Sequence, residues 1–200
     1  VRGCTRVSEG CRNCYAERMA VRLGNMGVAE YTGLTNGDLS RPRWTGKVRE
    51  LPERLSAPLR WKAPRCIFVN SMRDLFHESV SAAFIAAVFG VMAACPQHRF
   101  IILTKRAERL PRWFAWMGAS GAARLEACWH ALEAEVATVG DGGPLHTKHA
   151  ADPEGQWPLP NVILGVSVED QETADERIPY LLQTPAACRM VSYEPALDAV

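Results

Sequence analysis

Three cysteines fall within eleven residues, Cys4, Cys11 and Cys14, with the spacing Cys-x6-Cys-x2-Cys. Thiolates this close in sequence suit two chemistries. They can hold a zinc ion together with a fourth ligand, or three irons of a [4Fe–4S] cluster. In the second case the fourth iron has no protein ligand and stays open to substrate or cofactor. Spacing alone leaves both metals open. For zinc, His77 or a distant cysteine is the candidate fourth ligand. Gly3 and Gly10 stand directly before Cys4 and Cys11, which suits a tight loop whose N–H groups approach sulfur. The other four cysteines stand singly beside apolar neighbours. Cys66, Cys95 and Cys188 read as small buried hydrophobes. An odd total of seven without a secretory signal argues against a disulfide framework.

The loop needs a scaffold. Apolar runs at Cys66–Val69, Phe100–Leu103 and Val162–Val166, and a weaker one at Ala187–Val191, read as buried parallel strands. Helical spacing covers Tyr15 to about Gly24 through Ala16, Met19, Ala20 and Leu23. Pro52–Trp61 reads as a short helix opened by Pro52. Ser81 caps a helix to Ala94, another follows Lys105-Arg106 to Met117, and a third spans Gln171–Gln183. Residues 118–160 read as an insertion. It holds an amphipathic helix (Leu125, Cys128, Trp129, Leu132, Val136) and then a Gly/Pro/His-rich loop. Strands alternate with helices, the pattern of a parallel sheet covered by helices. No strand is followed by a dinucleotide fingerprint or a phosphate-binding loop. Each ends in polar or charged residues instead. The expected fold class is α/β, a partial (β/α) TIM-type barrel with its chemistry at the strand C-terminal ends. An open doubly wound sheet shares the same pattern.

With 200 residues, 48% apolar and 22% charged, the composition fits one domain with a real core. It excludes disorder, collagen and coiled coil for the whole chain. The longest apolar stretch, Ala82–Cys95, stops short of the roughly 20 residues of a membrane helix. No signal peptide opens the sequence, so a cytoplasmic location is expected. The net charge of +1 does not announce nucleic acid or membrane. Locally, residues 41–65 carry eight Lys/Arg against Glu50 and Glu53, with Trp44 and Trp61 interleaved. Basic residues among aromatics can follow a nucleic-acid backbone. The plainer reading is a solvated face balanced by the acidic stretch 169–176. The sequence opens inside the cysteine cluster and stops just after a strand. The expectation is a piece truncated at both ends, with exposed strand edges, poorly soluble and inactive by itself.

The segment Gly3-Cys4-Thr5-Arg6-Val7-Ser8-Glu9-Gly10-Cys11-Arg12-Asn13-Cys14-Tyr15-Ala16-Glu17 resembles the opening motif of the phage gene product 37/68 family, also called domain of unknown function 5131. Further matches are Leu59-Arg60-Trp61, Ile67 to His77, Leu103-Thr104-Lys105-Arg106, Trp157 to Val162, Gly165 to Gln171, and Ser192-Tyr193-Glu194-Pro195. They cover nearly the whole chain except 118–156. Members look like relatives of radical S-adenosylmethionine enzymes, so the resemblance implies a [4Fe–4S] cluster on Cys4, Cys11 and Cys14. It also implies S-adenosylmethionine as cofactor and an external electron donor, with the substrate unknown. Two departures stand out. The usual radical spacing is Cys-x3-Cys-x2-Cys, and no Gly-Gly-Glu follows the Cys66 strand, so Asn70 and Ser71 would take that role.

At the strand ends, where a barrel carries its chemistry, Asn70, Ser71, Ser167 and Glu169 are candidates for cofactor binding, and Lys105 and Glu194 for catalysis. Asp74 and Arg106 flank the same strand ends. Lys105 and Arg106 suit an anion and sit unfavourably at a helix start. Glu169 also suits a first-turn helix acid. Tyr15 is a candidate shield for the cluster, Glu17 a surface acid, and His77 a candidate ligand or proton carrier. Cys128, His130, His146 and His149 form a weaker second metal set. The competing reading from another class is a zinc-binding, non-catalytic phage accessory or nucleic-acid-binding module.

Overall fold

The computed structural model describes residues 1–118, 120–137 and 157–200. Four strands, β1 (Cys66–Phe68), β2 (Arg99–Thr104), β3 (Val162–Val168) and β4 (Cys188–Tyr193), pair in parallel in the order β1-β2-β3-β4. Sequential parallel pairing needs a crossover between neighbours, and helices supply each one. α1 (Tyr15–Asn25) precedes the sheet. α2 (Ala82–Ala94) joins β1 to β2, α3 (Arg109–Trp116) and α4 (Gly121–Ala137) lie between β2 and β3, and α5 (Gln171–Gln183) joins β3 to β4. The α/β class is thus as expected. Among the described residues the sheet is open rather than closed into a barrel.

Local signals explain the element starts. Ser81 Oγ accepts from Phe84 N at 3.1 Å and caps α2. Asp170 and Thr173 form a reciprocal capping box at α5. The expected helix over Pro52–Trp61 is instead two single 3-10 turns, Pro52–Arg54 and Pro58–Arg60. Pro58 lacks the N–H a continuing helix needs, and its ring opposes the carbonyl four residues back.

α2 is apolar on all sides because it is covered on more than one side. Phe84, Ile85, Phe89 and Met92 are buried in one cluster with Phe100 and Ile102 of β2 and Leu164 and Val166 of β3. α4 packs across α2. A Cβ on Gly90 would lie 2.6 Å from the Cys128 carbonyl oxygen, so only glycine allows this approach. Cys128 and Leu132 are buried there. Residues 118–160 therefore contribute a core helix, while 138–156 lie outside the described residues.

Continuous apolar runs suggested strands buried on both faces. The sheet buries one. Register places Phe68, Ile101 and Ile163 in one row, and Leu103, Gly165 and Met190 in the next, on the face away from the core. Of these Phe68 is exposed, and Ile101, Leu103, Ile163 and Met190 are half-buried. Cys66 and Cys188 are exposed on the two edge strands, which corrects their reading as buried hydrophobes; Cys95 is buried as expected. Among the described residues no helix is long and apolar enough to cross a membrane.

Candidate metal and cofactor site at the strand C-terminal ends

Residues 1–14 form a loop ahead of α1. The loop is pinned at its start by backbone hydrogen bonds between Arg2 and Arg49 in both directions, at 2.7 and 2.8 Å. One 3-10 turn, Glu9–Cys11, tightens its middle, and Cys14 is the N-cap residue of α1. Cys4, Cys11 and Cys14 are all free thiols of intermediate burial. The loop is held by two polar networks at the C-terminal ends of the strands.

The first network centres on Arg106, just past β2 and only 5% exposed. Its Nη2 donates to Thr5 Oγ1 at 2.7 Å and to Thr5 O at 3.1 Å. Its Nη1 lies 3.2 Å from Asp74 Oδ2 and donates to Cys4 Sγ at 3.9 Å. Asp74 also accepts from Thr104 Oγ1 at 2.8 Å, Lys105 N at 3.0 Å and Phe76 N at 2.9 Å. That saturates a buried carboxylate, as burial demands. His77 Nδ1 accepts from Ser79 N at 3.1 Å, so Nε2 carries the proton and faces Thr5 Oγ1 at 2.9 Å. Burial and then Arg106 lower the His77 pKa, keeping the ring neutral.

The second network centres on Glu169, at the end of β3 and 1% exposed. Its Oε1 accepts from Ser8 Oγ at 2.7 Å and from Lys105 Nζ, and lies 3.4 Å from Arg177 Nη1. Burial alone would raise the Glu169 pKa. The Lys105 and Ser8 hydrogen bonds and the Lys105 and Arg177 charges outweigh it and hold the carboxyl below its ordinary value. Its Oε2 is buried with no hydrogen-bond partner among the described residues. A Cβ on Gly10 would lie 2.7 Å from Glu169 Cδ. Glycine at 10 therefore lets the cysteine loop lie directly on this carboxylate.

The sequence candidates separate into those at the loop and those with other duties. Lys105 and Glu169 pair with each other beneath Ser8. Asn70 is buried with its amide spent on backbone: Nδ2 donates to Arg73 O and Leu103 O, and Oδ1 accepts from Leu103 N. It clamps the end of β1 to β2. Ser71 is exposed, and its carbonyl accepts from the Tyr15 hydroxyl. Ser167 is half-buried on the uncovered sheet face, paired in register with Ser192. Glu194 is exposed just past β4, and its charge acts on Tyr15. Glu17 is a correction: it is 1% exposed, not a surface acid. It accepts from Arg6 Nε at 3.0 Å and Trp44 N at 3.3 Å. The second metal set is not assembled among the described residues. Cys128 is buried with its thiol pushed up to about 12 by burial, whereas His130 is exposed beside Glu126; His146 and His149 lie outside the described residues. Ser8, Thr5 and Arg177 were not singled out from sequence. Their partners lie 161, 101 and 8 residues away, and only the short Arg177 spacing left a readable trace.

The donor set fits a thiolate-held group. Arg106 donates to Cys4, the N–H groups of Ala16 and Glu17 at the start of α1 act on Cys14, and Arg6 lies within the fields of Cys11 and Cys14. Each contact favours an anionic sulfur. Without a metal, burial dominates: it pushes Cys4 up to about 11 and raises Cys14. Among the described residues no three His, Cys, Asp or Glu side chains are gathered as a single metal ion requires. No curated protein and no solved structure matches the chain. The model of the family described as Protein of unknown function (DUF5131) matches residues 1–200. A match over that span, bringing with it the three-cysteine loop and the strand ends on which it rests, makes the chain a member of the DUF5131 family.

Proposed function

We propose that the chain is a cytoplasmic iron–sulfur enzyme of phage or bacterial origin, of radical S-adenosylmethionine type. In this reading the open sheet is an arc of a (β/α) barrel. Cys4, Cys11 and Cys14 hold a [4Fe–4S] cluster. The observation that carries the reading is the seating of a loop with three free thiols on the C-terminal ends of parallel strands, by Arg106–Thr5 and Glu169–Ser8. Barrel enzymes place their chemistry at that end.

When bound, the cluster supplies one electron, taken from an external donor, to S-adenosylmethionine. The chain's own residues do the rest. Arg106 and the α1 N-terminus stabilise thiolates. Glu169 Oε2 offers an acceptor for cofactor hydroxyls, with Ser71 and Ser167 as further polar contacts at the strand ends. Lys105 and Glu194 stand at the ends of β2 and β4 for proton movement, Lys105 being poised by Glu169. Asn70 serves as the clamp that fixes the Ser71 turn.

Anaerobic reconstitution with iron and sulfide tests this. A brown protein absorbing broadly near roughly 400 nm, releasing 5′-deoxyadenosine on reduction with S-adenosylmethionine, is the expected outcome. A colourless protein with one stoichiometric zinc would sink it. Full metal binding by Cys14→Ala would refute the ligand set.

A further inference from the structure

A basic groove runs beside the cysteine loop. Its volume is about 680 Å³, and its lining holds six arginines and no acid. Two of the six are already neutralised: Arg6 by buried Glu17, and Arg12 by Glu9 at 2.7 Å. Asp38, three residues before Arg41, accepts from Ser40 N at 2.8 Å and Ser40 Oγ at 2.6 Å and also feels the charge of Arg41. Arg18, Arg22, Arg41 and Arg43 are exposed, and none forms an ion pair among the described residues. Four guanidinium groups without an ion pair among the described residues therefore face one concavity, with Arg41 also within the field of Asp38.

Their placement is built, not scattered. Tyr15, Arg18, Met19 and Arg22 stand at i, i+3, i+4 and i+7 on α1, one stripe opposite buried Ala16, Ala20 and Val21. Arg41 and Arg43 close the far wall from the loop that returns to α1, where Trp44 N bonds Glu17. The basic run 41–65 is thereby divided. Arg49 and Arg54 are used at Ala29 and Glu30, and Arg65 stacks on Trp61 at 4.7 Å. On the groove stripe, Tyr15 is 60% exposed and Met19 39%. The Tyr15 hydroxyl is anchored to Ser71 O, so the ring is held in place.

Guanidinium groups match phosphate oxygens in pairs. A fixed, exposed aromatic ring beside them offers a stacking platform for a base. We propose that this groove binds a single-stranded nucleic acid, with Arg18, Arg22, Arg41 and Arg43 on phosphates and Tyr15 under a base. This surface is independent of which metal the cysteines hold.

The test is fluorescence anisotropy of the full chain with a labelled single-stranded oligonucleotide, from low to moderate salt. Each phosphate contact contributes about 0.7 to the log–log salt slope. Replacing all four arginines by glutamine should flatten the slope by roughly 2 to 3 and weaken binding at low salt by at least about tenfold. The matching four-lysine variant keeps most of the slope. Tyr15→Ala costs about tenfold with little change in slope. A control neutralising Arg65, Arg99 and Arg112 leaves binding unchanged. Circular dichroism checks that each variant is folded. Unchanged binding in the glutamine variant overturns the proposal. So does tighter binding of duplex than of single strand, or equal competition by inorganic polyphosphate at matched phosphate concentration.

Discussion

The helix-covered face of the sheet and the seat of the cysteine loop are held by different forces. Beneath α2 and α4 the contacts are aliphatic and aromatic: Phe89 and Trp113 rings stand 4.8 Å apart, and Phe76 meets Trp113 edge to face at 5.8 Å. At the loop the contacts are charged hydrogen bonds with fixed directions, from Arg106, Asp74 and Glu169. Apolar contact scales with area and is nearly indifferent to angle and pH. Charge-assisted bonds are directional and respond to protonation. The molecule thus uses area where only stability is required, and direction where atoms must be placed.

The contrast breaks most sharply at its apolar side. Phe76 is fully buried, and Phe76→Ala should cost about 4 kcal/mol. Urea unfolding measures it, and the loss should be the same at pH 5 and pH 7. Asp74→Ala comes next. It removes the buried partner of Arg106, leaving it Glu78 at 3.0 Å and Thr5, and takes the acceptor from the Thr104 hydroxyl and from two backbone N–H groups, at about 3 kcal/mol. Unlike the Phe76 change it should also loosen the cysteine loop, read as faster alkylation of Cys4 at a temperature where both variants are folded. Equal alkylation rates would erase the distinction between the two regions.

Glu169→Gln sharpens the same point through pH. The folded carboxyl lies below its ordinary value. Its contribution is therefore present above the ordinary carboxylate range and lost as pH falls through the lowered folded value. The variant should lose about 1–2 kcal/mol at pH 7 and show a flatter acid limb in thermal melts. An unchanged acid limb would assign that titration to another group. The smallest effect belongs to Arg112→Ala, which removes an exposed i,i+4 pair with Glu108 at 3.2 Å. It should move stability by no more than about 0.5 kcal/mol.

Much of the scaffold was legible because its signals are local. Ser81 before Ala82, the apolar runs at Phe100 and Val162, and Asp170 three residues before Thr173 each specify an element from within a few residues. What was misread depended on distance. Glu17 looked solvent-facing until Arg6 and Trp44 arrived around it. Cys66 and Cys188 looked buried because runs of apolar residues do not reveal which strands are edges. Pro58 was the local sign overlooked within the Pro52–Trp61 segment. At the site, the three cysteines and the strand-end residues Lys105 and Glu169 were visible, but their mutual pairing was not. The groove of arginines had a trace, the i, i+3, i+4, i+7 stripe from Tyr15, hidden because Met19 counts equally toward the apolar spacing of Ala16, Ala20 and Leu23.

The strand order has a kinetic consequence. Among the described residues only β2 and β3 are flanked by a strand on both sides, and β1 offers just three residues to its neighbour. Amide protons of Ile102 and Leu164 should therefore exchange with solvent only when the molecule opens globally, whereas those at the ends of β1 and β4 follow smaller, more frequent openings. Asn70 clamps β1 to Leu103, so it sets how often that edge, and the Ser71 turn beside the cysteines, comes undone.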